Sequence, residues 1–135
     1  MKIDIGNFQK YPKKRKIKVK IHDSDVYDFR STMAIVIVAA LKKFKKKNNR
    51  GTPLYCFPEN SYYYCPSVTE ETAARNEWNS TLDKMIFAFE ELSTEQKEFD
   101  IINKNDYDTQ ELIDLQNQVQ EGLDLFAKHY RQLWI

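Results

Sequence analysis

The residue types that can do chemistry in this 135-residue chain are cations near its start and aromatic rings spread along its length. Ammonium and guanidinium groups bind phosphates through charge-assisted hydrogen bonds, and aromatic rings stack on bases. The cations that we predict to contact phosphates are Lys14, Arg15, Lys18 and Arg30. The rings that we predict to stack are those of Tyr27, Trp78 and Trp134. The set predicts a binding site for an anionic, nucleotide-like small molecule.

Each of these residues also fits a structural role. Lysines along one face of a strand protect an exposed sheet edge from mispairing, which is the alternative for Lys18. Trp78 lies on the apolar stripe of a predicted helix, where burial in the core is the favoured interpretation. Trp134 needs tertiary packing to be held in place, so it is expected to dock on another element or another chain.

Signatures of catalysis are missing from the sequence. Three widely separated glycines cannot form a phosphate-cradling loop, and neither a nucleophile elbow nor an HExxH motif is present. His129 and Asp124 lie close in sequence and could meet in the fold, but the sequence does not show a role for them in acid–base catalysis. Cys56 and Cys65 are not spaced like zinc ligands and are expected to be two reduced thiols. We therefore predict a protein that is not an enzyme, with no cofactor and no metal.

Charge is distributed unevenly along the chain, although the net charge is only +1. Residues 1–50 hold 15 Lys and Arg against 4 Asp and Glu (+11), and residues 51–135 hold 6 against 16 (−10). Such polarity can pair two copies base to acid, and a homo-oligomer is predicted. Alternatively, the two halves mix on the folded surface and cancel. The near-neutral total makes nucleic acid an unlikely partner.

The pattern of elements predicts a mostly helical α+β fold, in one domain over residues 1–135, with three main helices and a short N-terminal antiparallel β ribbon. Alternation of Ile17, Val19 and Ile21 with lysines predicts a half-buried strand, with Ile3 and Ile5 in its partner. The predicted segments are a ribbon over 1–22, a helix over 25–48, a loop over 49–67 and helices over 68–93 and 107–134.

Details within these segments can be checked against a structure. Asp25 is expected to cap the first helix, whose β-rich run 33–38 leaves a buried strand as a rival interpretation. Ser67 and Glu70 form a possible capping box for the second helix. In the last helix, the core is expected to contain Phe126, Tyr130 and Leu133, with His129 directed elsewhere. The connection 93–108 has room for a short helix.

No apolar run approaches the roughly 20 residues that cross a bilayer, and no secretion signal is recognised. The sequence therefore predicts a soluble protein with no membrane partner.

Three segments of the chain resemble a widespread family of small uncharacterised proteins of tailed bacteriophages. The segments are "DVYDFRSTMA", "WNSTLDKMIFAFE" and "GLDLFAKHYRQLW". In the family pattern a second acid stands where this chain has Arg30, and a second tryptophan where it has Ser80. The resemblance implies a phage origin and, with it, location in the cytoplasm of the infected bacterial host.

Phage origin, small size and the basic and aromatic residues together suggest two functions. The first is a counter-defence protein that sequesters a nucleotide-derived immune signal without cleaving it, for which affinity without turnover is sufficient. The alternative is a small virion or structural protein, or an inhibitor that docks on a host protein.

Overall fold

In a computed structural model of the chain, the described residues are 1–5, 17–47, 52–53, 56–57, 66–104, 106 and 108–133. Most of them are helical, and their sheet is a two-stranded antiparallel ribbon, so the predicted mostly helical α+β class is confirmed. Three predicted site residues, Lys14, Arg15 and Trp134, lie outside the described residues, as does most of the predicted loop over 49–67.

The N-terminal ribbon consists of β1 (Lys2–Ile5) and β2 (Ile17–Lys20), paired antiparallel as predicted. All eight strand residues are exposed. The expectation of a half-buried strand was therefore wrong, because neither strand packs on a helix of the described part beyond a marginal contact. The alternation of the sequence puts Ile3, Ile5, Ile17 and Val19 on one face of the ribbon, the aliphatic face, and all four side chains are exposed.

The first predicted helix is two helices, α1 (Asp23–Tyr27) and α2 (Phe29–Lys47). Asp28 separates them, with φ −127° and ψ 70°, and its carboxylate accepts a hydrogen bond from the Ser31 amide at 3.2 Å. The β-rich run over 33–38 is helical, so the rival strand is excluded. Asp25 does not cap the first helix as expected, because α1 begins two residues before it, at Asp23. The Asp25 carboxylate instead accepts a hydrogen bond from the His22 amide at 2.8 Å.

The long central helix, α3 (Val68–Thr94), begins with the predicted capping box. The Ser67 hydroxyl accepts from the Glu70 amide at 3.3 Å, and the Glu70 carboxylate accepts from the Ser67 amide at 2.7 Å. The apolar stripe of α3 is the main part of the core, with Trp78, Leu82 and Met85 its largest fully buried side chains. The second predicted helix is thus confirmed to within one residue at each end.

The short helix allowed by the sequence is α4 (Gln96–Ile102), which follows α3 directly. Glu95 joins the two helices in a left-handed conformation with φ 52°. The carboxylate of Glu91, which is buried, accepts a hydrogen bond from the Glu98 amide at 3.0 Å and so caps the first turn of α4. A carboxylate of α3 therefore accepts a hydrogen bond from one of the unpaired amides at the start of α4.

The last long helix is α5 (Thr109–His129), capped by Asp108, and a 3-10 turn follows over Tyr130–Gln132. α5 ends earlier than the predicted helix over 107–134. It packs on α3, where Phe89 and Phe126 meet edge to face at 4.8 Å between ring centroids. Gly122 allows this packing, because a Cβ there would lie 2.4 Å from the carbonyl oxygen of Lys84.

The buried face of α5 differs from the predicted one. Its buried residues, Leu115, Gly122 and His129, are seven positions apart and therefore share one side of the helix. His129 is 3% exposed and Tyr130 is 65% exposed, which reverses the expectation for these two residues. Phe126 and Leu133 are half-buried beside the core, as expected.

Charged side chains connect α2 to the end of α3 and the start of α4. Lys42 pairs with Glu90 at 2.6 Å, and Lys45 pairs with Asp83 at 2.5 Å. Arg30, near the start of α2, pairs with Glu95. These three pairs join the basic first half of the sequence to the acidic second half, so the halves partly cancel along one seam of the fold.

Candidate anion-binding site

The candidate site is the charged face of the β ribbon. The register pairs Lys2 with Lys20 and Asp4 with Lys18. Side chains alternate across a strand, so these four residues share one face of the ribbon. They line a recess of about 290 Å³. We call this surface the lysine face.

The lysine face carries an excess of positive charge. Asp4 is the single carboxylate among the lining residues, which leaves a net charge of +2. None of Lys2, Lys18 and Lys20 forms an ion pair with another residue in the ranges that the structure covers. Because each ammonium offers three hydrogen-bond donors and no acceptor, the face can hold phosphate oxygens without first breaking a salt bridge.

Tyr27 and Arg30 lie on either side of the break between α1 and α2. The Tyr27 side chain is 88% exposed, so its ring is accessible to a base. Arg30 is exposed too, but its guanidinium is paired with Glu95. Neither Tyr27 nor Arg30 lines the recess, so of the predicted site residues only Lys18 belongs to the lysine face within the described residues.

Trp78 does not present its ring to a ligand. The side chain is 1% exposed in the core, and its ring meets that of His129 edge to face at 5.8 Å between centroids. A stacking role would require the core to open. Among the predicted rings, Tyr27 is therefore the one that the described structure leaves available.

His129 is a buried titratable group, although the sequence predicts that its side chain points away from the core. Burial lowers the pKa of His129 below its ordinary value of 6.5, and the positive charge of Lys128 lowers it further. The Asp124 carboxylate, close to His129 in sequence, accepts a hydrogen bond from the side-chain amide of Gln120 at 2.8 Å. The geometry thus places the histidine in the core.

Lys2 is the site residue that sequence reasoning missed. The signal was present, because Lys2 and Asp4 alternate with Ile3 and Ile5 in the partner strand. Antiparallel pairing with β2 then puts the charged residues of both strands on one face. Lys20, by contrast, is one of the lysines whose alternation with Ile17, Val19 and Ile21 predicts β2.

No group of His, Cys, Asp and Glu side chains suited to holding a metal ion occurs within the described ranges. Among the helices of those ranges, none combines the length and the apolar character needed to cross a bilayer. Comparisons of the chain with protein-family models, with curated proteins and with solved structures found no match. The resemblance to tailed-phage proteins therefore stays a prediction from the segments that carry it.

Proposed function

We propose that this protein binds a nucleotide-derived anion on its lysine face and holds it without cleaving it. The observation that carries the proposal is the cluster of Lys2, Lys18 and Lys20, which are exposed, lie on one face and have no ion-pair partner among the described residues. Phosphate groups would contact the ammonium groups, and Tyr27, which lies outside the recess but is exposed, is the candidate ring for a base that extends beyond it. Lys14 and Arg15, close to β2 in sequence, would add positive charge.

Together with the resemblance to phage proteins, this binding chemistry fits a counter-defence role. A protein that sequesters an immune signal acts stoichiometrically and needs no catalytic group. We place it in the cytoplasm of the infected host, where such a signal would be produced, and we propose that it works as a homo-oligomer.

Calorimetry with a panel of cyclic nucleotides and ADP-ribose derivatives tests the proposal. A double variant, Lys18→Gln with Lys20→Gln, should weaken binding at least about tenfold, because two ammonium contacts are lost. The matched control, Lys42→Gln with Lys45→Gln, removes the same charge from lysines engaged with Glu90 and Asp83, and should change affinity less than about twofold.

Mass spectrometry of the ligand released by heat should show it intact. An absence of binding across the panel, or equal losses in the two double variants, would contradict the proposal. Cleaved ligand would contradict the non-enzymatic part of it alone.

One observation favours the alternative of a virion or docking protein. The aliphatic face of the ribbon is exposed, as interaction surfaces commonly are. Mass spectrometry of purified particles of a phage that encodes this chain separates the two functions, because a virion component would be present in many copies.

A further inference from the structure

The carboxylate of Asp4 lies among three ammonium groups on the lysine face. The register puts Lys2 opposite Lys20 at one end of this face. At the other end it puts Asp4 opposite Lys18. The Cβ atoms of opposite residues on a sheet lie about 5 Å apart, and residues two positions apart along a strand lie about 7 Å apart. The four side chains are thus the corners of a small rectangle, and one corner is negative.

The end of the lysine face that carries Lys2 and Lys20 attracts an anion most strongly. Like charges directly opposite each other on a sheet repel, so this pair is unfavourable until an anion lies between the two ammonium groups. Lys18, two positions before Lys20 on the same strand, adds a third ammonium group to the recess. A phosphate bound at this end therefore accepts charge-assisted hydrogen bonds from several donors.

The corner that Asp4 occupies has the opposite chemistry. Asp4 is exposed, and it forms no ion pair with Lys18 or with any other cation in the part of the chain that the structure describes. An ionised carboxylate accepts hydrogen bonds but donates none. It therefore repels a second negative group at this corner and stabilises a neutral hydroxyl group there.

We propose that Asp4 is a specificity-determining residue of the lysine face, which selects a phosphate ester with a hydroxyl donor about 7 Å or less from its phosphate. This inference rests on the proposed binding of a nucleotide-derived anion at this face. A nucleotide with free ribose hydroxyls meets the requirement, because its phosphate and its sugar are neighbours. A bare polyanion is attracted by the lysines but repelled by Asp4.

Calorimetry of the full chain with two matched nucleotides tests this role. Adenosine 5′-monophosphate and its 2′,3′-dideoxy analogue carry the same phosphate and the same base, but only the first has ribose hydroxyls. The wild type should bind the first at least about fivefold more tightly, because the analogue leaves the charged acceptor without its donor.

The variant Asp4→Ala removes the acceptor and its charge together. The preference between the two nucleotides should then fall below about twofold. Inorganic phosphate should bind the variant about threefold more tightly than the wild type at low salt, because the repulsion by a carboxylate about 7 Å away is lost. A damaged ribbon would weaken the binding of every anion, so a gain in phosphate affinity separates a specificity role from a merely structural one.

The matched control is Glu77→Ala, which removes the same charge from an exposed position of α3 outside the lysine face. It should leave both the nucleotide preference and the phosphate affinity within about 1.5-fold of the wild type.

Three results would overturn the role of Asp4 while leaving anion binding in place. They are equal affinity of the wild type for the two nucleotides, a preference that persists in Asp4→Ala, and a phosphate affinity that does not rise in that variant. Failure of both nucleotides to bind the wild type would overturn it as well. The panel of cyclic nucleotides and ADP-ribose derivatives then decides separately whether the lysine face binds an anion.

Discussion

The helices and the β ribbon place the same residue types in opposite environments. Along the seam of α2 with α3 and α4, Lys42, Lys45 and Arg30 are paired with carboxylates, and the aliphatic side chains of α3 are buried. In the ribbon, lysines lack ion-pair partners among the described residues and aliphatic side chains are exposed. Free energy of folding should therefore come mainly from the helices.

This contrast separates stability from recognition. Exposed lysines and isoleucines contribute little to the folding of one copy, because both remain in water. The same groups stabilise a complex when an anion pairs with the lysines or when a partner covers the isoleucines. We therefore expect binding at the ribbon, although the helices contain more of the aromatic residues.

The largest expected effect on stability comes from truncating a large side chain in the helical core. Trp78→Ala removes one of the largest fully buried side chains and should lower the free energy of unfolding by about 3–5 kcal/mol. Ile17→Ala in the ribbon should lower it by less than about 0.5 kcal/mol. Urea denaturation at low protein concentration, followed by circular dichroism, measures both. Similar losses for the two variants would contradict the conclusion that the helices, and not the ribbon, supply most of the folding free energy.

A second test concerns the close approach of α5 to α3. Gly122→Ala would put a Cβ 2.4 Å from the carbonyl oxygen of Lys84 and 2.5 Å from the Cβ of Ala88, so the helices must separate. We expect a loss of about 2–3 kcal/mol in the free energy of unfolding, despite the better helix propensity of alanine.

The control for this substitution is Asn117→Ala on the exposed side of the same helix, which should change stability by less than about 0.5 kcal/mol. Thermal denaturation compares the two variants. An unchanged midpoint for Gly122→Ala would mean that the α3–α5 contact is looser than described.

The third test uses pH to probe the core through His129. Its pKa is lowered in the folded protein, so below pH 6.5, the ordinary value, the unfolded chain binds more protons than the folded one. The free energy of unfolding should therefore fall as the pH drops below 6.5, by at most about 1.4 kcal/mol per pH unit from this group.

Urea denaturation between about pH 7.5 and 5 gives the profile, and His129→Gln should remove the contribution of this group. A profile that is the same in wild type and variant would place the imidazole in water and contradict its burial.

The smallest expected effect concerns the paired cations. The side chains of Lys42 and Glu90 are about half-exposed, so solvent screens their attraction. A double-mutant cycle with Lys42→Gln and Glu90→Gln should give a coupling free energy of less than about 0.5 kcal/mol. A coupling several times larger would mean that the paired cations of the helices stabilise the fold directly, unlike the lysines of the ribbon.

Local signals predicted most of the fold. The capping box of Ser67 and Glu70 and the spacing of the apolar residues identified α3, and alternation identified the ribbon strands. These features depend on neighbours three or four residues away, or on the next residue but one, and the sequence displays them directly. The break at Asp28 was missed because helical residues continue on both sides of it.

Features that depend on distant residues were less accessible. Arg30 pairs with Glu95, 65 positions later, and nothing in either neighbourhood indicates it. The burial of His129 in place of Tyr130 depends on which side of α5 meets α3, and the close approach at Gly122 decides this. Of the predicted site, Lys18 and Tyr27 are exposed as binding requires, whereas Trp78 was placed correctly on the core stripe but cannot also be accessible.

Glu95 combines two opposing contributions in one residue. Its left-handed backbone costs an L-residue roughly 1 kcal/mol, while its carboxylate neutralises Arg30. Glycine at this position would ease the turn and at the same time release a guanidinium to the surface. A variant selected only for thermal resistance would thus also gain positive surface charge, at a position outside the lysine face.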